Sequence, residues 1–148
     1  KLRVVKDEAE LVVIKKAVAL ADACLHAIIP LLKEGISESD VSAEIEYYFR
    51  KNGSSGSSFD TIVAFGAHSS MPHYNTGNAR LKTGDVILID TGCVVDGYCS
   101  DVTRTFFYGA VDPEMRQIYD IVNTARATAI GKYLQELAQE YLTEAQEI

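Results

Sequence analysis

Apolar residues in this chain follow two spacings, and the places where one gives way to the other mark its elements. From Lys6-Asp7-Glu8-Ala9-Glu10 onward, Leu11, Ile14, Val18, Leu25 and Ile29 recur at helical intervals, and acidic residues sit at the start, where a helix dipole favours them. The pattern predicts a helix from about Asp7 to Lys33, kinked before Pro30. Gly35 to Asp40 stops it and begins a second helix, capped by Ser37, with Val41, Ile45, Tyr48 and Phe49 on one face as far as Gly53. The polar, Gly-rich stretch Asn52 to Ser58 is too short to separate domains and reads as a loop. No Gly-Lys-Ser/Thr follows it, so it lacks the signature of a phosphate-binding loop.

The spacing then changes. Phe59 to Phe65 reads as a short buried strand and Gly66 to Met71 as the turn leaving it. Lys82-Thr83-Gly84-Asp85 reads as a turn in which Asp85 bonds nearby backbone. Val86 to Thr91 and Tyr98 to Phe107 flank Asp96-Gly97, the combination expected of a β-hairpin. Asp112-Pro113-Glu114 starts a last helix carrying Ile118, Ile121, Val122, Ala125 and Ala129. Tyr133 to Ile148 has no Gly, Pro or His and continues helically, with Leu134, Leu137, Tyr141, Leu142, Ala145 and Ile148 on one face. Together these segments make a helix of about 35 residues, about 50 Å long. The predicted class is α+β: an antiparallel, hairpin-containing sheet covered by helices, with a long C-terminal helix.

The hairpin carries the candidate chemistry. With Val95-Asp96 at the turn, Asp90 faces Asp101 directly; with Asp96-Gly97 at the turn, Asp101 lies diagonally from it. Either register puts both carboxylates on one face, roughly 4.5 to 8 Å apart at Cβ. Two such groups on an apolar hairpin need compensation from a divalent cation pair, a shared proton or a basic neighbour. Hard oxygen donors at this separation suit a pair of divalent cations, and a structural ion pair or a solvated pair is the alternative. Arg104 is a rival partner, but in a regular strand it points away from Asp101.

A net charge of −7 over 148 residues, with Lys and Arg scattered, argues against nucleic acid. No stretch of about 18 apolar residues offers a membrane span. No secretory signal opens the sequence, and a cytosolic soluble protein is expected. Three cysteines, Cys24, Cys93 and Cys99, are too few for a disulfide framework and read as small buried residues. Cys93 and Cys99 face opposite ways in the hairpin. His26 reads as a packed or half-exposed helix residue and His68 as a solvated loop residue, while Glu136, Glu140, Glu144 and Glu147 read as a solvated helix face.

The run Asp90-Thr-Gly followed by Asp96-Gly97-Tyr98-Cys99-Ser100-Asp101-Val102-Thr103-Arg104-Thr105-Phe106 resembles the signature of the Xaa-Pro aminopeptidase and Xaa-Pro dipeptidase (prolidase) branch of the pita-bread metallopeptidases. The resemblance extends from about Arg3 to Lys132. It implies that residues 1–132 are the amino-terminal half of a pita-bread catalytic domain and that 133–148 is a helical extension outside the family pattern. It also implies two divalent ions, manganese, cobalt or zinc, with Asp90 and Asp101 as the first two metal ligands. His73, in Met71-Pro72-His73-Tyr74, matches a catalytic, substrate-binding histidine of the family, whose substrates are peptides with proline at the second position. The second half of such domains supplies a His and two Glu ligands that this sequence lacks. The expected partner is therefore a complementary half or a second copy, and the alternative is an inactive half-fold that self-associates.

Overall fold

Asp7 begins the first helix, α1 (Glu8–Ile28), with a capping box: its carboxylate accepts from Glu10 N–H, and Glu10 accepts from Asp7 N–H. The computed structural model describes residues 3–146, with side chains over residues 3–136. It divides into two units, Lys1–Val111 and Asp112–Ile148. α1 ends before the expected Lys33, because Pro30 has no N–H to continue the ladder and Ile29–Leu31 tightens into a 3-10 turn. Its buried stripe is Ala17, Ala21, Cys24, Leu25 and Ile28, whereas Val18 and Ile29, both expected inside, are exposed. Small residues let the helix lie close on what it covers.

Ser37 caps α2 (Glu38–Lys51) as expected, in reciprocal bonds with Asp40. Val41, Ile45 and Phe49 of α2 are fully buried and meet the stripe of α1 in one core. The strands are β1 (Gly56–Ser57), β2 (Ile62–Phe65), β3 (Val86–Thr91), β4 (Cys93–Val95), β5 (Tyr98–Cys99) and β6 (Val102–Phe107). Two antiparallel sheets result, ordered β2-β3-β6 and β1-β4-β5. Part of the expected loop 52–58 is thus a strand: Gly56 and Ser57 pair with Val94 and Cys93. Conversely, residues 59–61 are not strand, and β2 is confined to Ile62–Phe65. Along β3, Ile87, Ile89 and Thr91 are buried while Val86, Leu88 and Asp90 are only half-buried. Ile87 and Ile89 belong to the core shared with α1 and α2, so Asp90 stands on the opposite face of the sheet.

The second unit is α3 (Pro113–Gln146), a single helix of 34 residues. The Asp112 carboxylate accepts from Glu114 N–H at its start. Ile118, Ile121, Val122, Tyr133 and Leu134 are exposed along it. Glu136 is exposed as expected. Leu137, Tyr141, Leu142, Ala145, Ile148, Glu140, Glu144 and Glu147 lie outside the residues whose side chains are described. Among the described residues no helix is long and apolar enough to cross a membrane.

Candidate active-site face and the loop beside it

Asp96 (φ 48°) and Gly97 (φ 83°) both occupy the left-handed region, as a type I′ hairpin turn requires. Of the two registers left open above, the structure therefore adopts the one with Asp96-Gly97 at the turn. Val94 pairs with Cys99 near the turn and Thr91 with Val102 further on, the same register on both sides, so no bulge intervenes. Thr103 is directly opposite Asp90 and donates its hydroxyl to Asp90 Oδ1 at 2.8 Å. Carried one residue past Val102, the same register gives Asp101 the diagonal place on that face, and Asp101 is exposed. Arg104 pairs with Ile89 on the helix side and reaches Asp22 of α1 at 3.4 Å, so it does not neutralise the two carboxylates.

The ladder opens between the sheets, at Gly92 and Ser100. Cys93 N–H donates to Ser100 Oγ at 3.0 Å, and the Ser100 carbonyl accepts from Ser58 Oγ at 2.8 Å. The strands approach so closely there that a Cβ on Gly92 would stand 1.9 Å from the Ser100 carbonyl oxygen. Cys93 is buried and Cys99 exposed, on opposite faces as expected, although Cys99 is not the buried residue it was read to be. Burial pushes the Cys24 thiol up to about 12 and raises that of Cys93.

His73 is exposed and has φ 54°, a left-handed conformation unusual for a residue of its size. It lies in the loop that follows the 3-10 turn Gly66–Ser70 after β2. The carboxylate of Glu38, the first residue of α2, is 0% exposed and touches this loop at several points. His68 Nδ1 lies 2.9 Å from Glu38 Oε1, so His68 is not the solvated residue expected of it. Its ring stacks on Tyr74 with centroids 4.6 Å apart. Burial alone would raise the Glu38 carboxyl, but bonds from His68, Phe65 N–H, Tyr74 and Gly77 N–H together hold it below the ordinary carboxylate range. Nothing in the sequence distinguishes Glu38 from a solvated acid in a first helical turn, because its donors come from distant residues.

A carboxyl depressed in the folded state stabilises fully above its unfolded value, about 4.3, and that stabilisation disappears as pH falls through the lower folded value. The melting temperature is expected to be level from pH 7 to about pH 5 and to decline below that. The decline should be shallower in Glu38→Gln, and a thermal melt at each pH measures both slopes.

Comparison with known proteins places these features in a family. The model of metallopeptidase family M24 matches residues 13–144. The chain belongs to metallopeptidase family M24. A solved structure, an Xaa-Pro dipeptidase from Bacillus anthracis, superposes with TM-score 0.83 at 40% identity over 85% of this chain and 36% of its own. The prolidase from Pyrococcus horikoshii OT3 superposes with TM-score 0.84 at 38% identity, over 86% and 37%. A provisionally named dipeptidase of Bacillus subtilis (strain 168) is 47% identical over 128 residues, 86% of this chain and 35% of that protein. The M24 chain described here thus spans about a third of the length of that relative, and its α+β fold is one half of the pita-bread architecture. M24 domains generally depend on a dinuclear metal centre. The hairpin fits part of such a centre, since its two carboxylates share a face and are hard oxygen donors. Among the described residues no three His, Cys, Asp or Glu side chains gather at one point.

Proposed function

We propose that residues 1–132 are the amino-terminal half of a dinuclear Xaa-Pro metallopeptidase catalytic domain and that 133–148 is a helical extension of it. When completed, the domain hydrolyses the peptide bond preceding a proline at the second position, as a dipeptidase or aminopeptidase. One observation carries this reading: an unbulged hairpin holds Asp90 and Asp101 on one face, away from Arg104. These carboxylates would hold two divalent ions, manganese, cobalt or zinc. Bound there, the metals supply Lewis acidity and a water of lowered pKa. Thr103 orients Asp90, and exposed His73 presents a ring N–H to the substrate carbonyl. The names of the solved relatives, an Xaa-Pro dipeptidase and a prolidase, support the substrate class. The remaining ligands come from a complementary half or a second copy of the chain. Three free cysteines support a cytoplasmic location.

The test is calorimetric titration of Mn(II) into the metal-free chain, alone and after association with a carboxy-terminal M24 half. Binding is expected to tighten on association and to weaken by more than about a hundredfold in Asp90→Asn. The associated pair should hydrolyse Xaa-Pro peptides. Stable association without hydrolysis would sink the enzymatic reading.

A second reading is favoured by the exposed apolar residues of α3, Ile118, Ile121 and Val122 among them: an inactive half-fold that self-associates through this helix. Sedimentation of the chain as a monomer at every concentration would exclude it.

A further inference from the structure

The loop that carries His73 leaves the sheet at Phe65, the last residue of β2, and at Gly77 meets the N-terminus of α2. A single buried side chain touches its entrance, its interior and its exit. Glu38 Oε1 accepts from Phe65 N–H at 2.8 Å and is 2.9 Å from His68 Nδ1. Glu38 Oε2 accepts from Tyr74 Oη–H at 2.9 Å and from Gly77 N–H at 3.2 Å. Four partners fill the accepting capacity of a carboxylate, and the helix N-terminus on which Glu38 sits favours its charge.

These contacts are not equally replaceable. The exit has other fastenings: Ser39 N–H donates to the Gly77 carbonyl at 2.9 Å, and Thr76 Oγ1 accepts from Val63 N–H at 2.8 Å and donates to the Thr61 carbonyl at 2.9 Å. Among the described residues, the side-chain hydrogen bonds of His68 and of Tyr74, the residue next to His73, come from Glu38. His73 needs such a hold. Its left-handed backbone is disfavoured for any residue with a Cβ, and conformations of that kind persist only where the surroundings over-determine them. The stacked His68 and Tyr74 rings, both tied to one buried carboxylate, provide that constraint from inside the loop.

We propose that Glu38 is the positioning residue of the His73 loop, holding His73 in its left-handed presentation through His68 and Tyr74. Its consequence for turnover rests on the reading of His73 as the substrate-side donor; the positioning itself does not. A carboxylate is required because all four of its contacts are donors. Glutamine keeps the shape but turns an NH₂ group toward two of them.

The experiment is NMR of the full chain with isotopically labelled histidine, read together with amide hydrogen exchange. His26 on α1 serves as the internal control. In Glu38→Gln the ring signals of His68 and His73 are expected to shift or broaden while His26 stays in place. The Phe65 amide should exchange about tenfold faster, and that of Ile89 in the core should be unchanged. Tyr74→Phe, which removes one bond and keeps the stack, should move His73 by a smaller amount. His73 signals that coincide with wild type in a folded Glu38→Gln overturn the proposal. If Glu38→Gln fails to fold, an unmoved His73 in Tyr74→Phe overturns it instead. Should the rings move as expected while the completed enzyme keeps its kcat/KM in Glu38→Gln, the positioning role stands and the substrate role of His73 falls.

Discussion

Gly92→Ala is expected to destabilise the chain by about 4 kcal/mol, a loss reserved for a few severe mechanisms. The methyl group would meet the Ser100 carbonyl oxygen at 1.9 Å, the Ser100 carbonyl carbon at 2.7 Å and Ser58 Oγ at 2.4 Å. Two of these atoms are backbone of the facing strand, so no rotamer change relieves the overlap and the strands must part. Parting them breaks the bonds that Ser100 makes to Ser58 and Cys93 and moves Asp101, the next residue, away from the face it shares with Asp90. Gly97→Ala is the control. Its Cβ would meet nothing within 4 Å, and its φ of 83° carries strain alone, about 1–2 kcal/mol. Denaturant titration of both variants measures the difference, and equal losses would mean that the close approach at Gly92 is not what matters.

Phe49→Ala is expected to cost about 3–5 kcal/mol. Phe49 is 0% exposed and packs in the core that α1, α2 and β3 share. Small domains have about 5–15 kcal/mol to lose, so the variant should melt much earlier than wild type. The effect should also reach the loop, because α2 carries Phe49 near its C-terminal end and Glu38 at its first turn. A helix loosened in its seat takes the carboxylate with it, and the Phe65 and Gly77 amides are expected to lose protection together. Tyr47→Ala on the same helix, where the side chain is 59% exposed, should be nearly neutral. Melting curves of the two variants give the comparison.

What the sequence reveals about this fold follows the range of the forces involved. The hairpin was legible because Asp96-Gly97 dictates its own turn geometry within a few residues, and the parity of a strand then carries Asp90 and Asp101 to one face. The start of α1 near Asp7 and the Ser37 cap of α2 were legible for the same local reason. The two-residue strand β1 was not: Gly56 and Ser57 have no side-chain pattern, and their strand character comes from the edge of β4. Nor was the burial of Ala17 in place of Val18. Both lie on helical spacings, and only the sheet beneath shows that close approach favours the small residue. Glu38 marks the far limit, a charged residue buried by donors supplied from 65, 68, 74 and 77, none near it in the chain.

The unequal exposure of the three thiols has a practical side. Cys24 and Cys93 are sealed in the core, with their thiolates disfavoured by burial. Cys99 is exposed, on the strand that runs from the hairpin turn toward Asp101. The chain therefore comes with a single attachment point for a thiol-directed spin label, a short way from the carboxylates and needing no engineered substitution. A nitroxide placed there would relax faster if a paramagnetic ion bound beside it, making the hairpin its own gauge of whether it holds one.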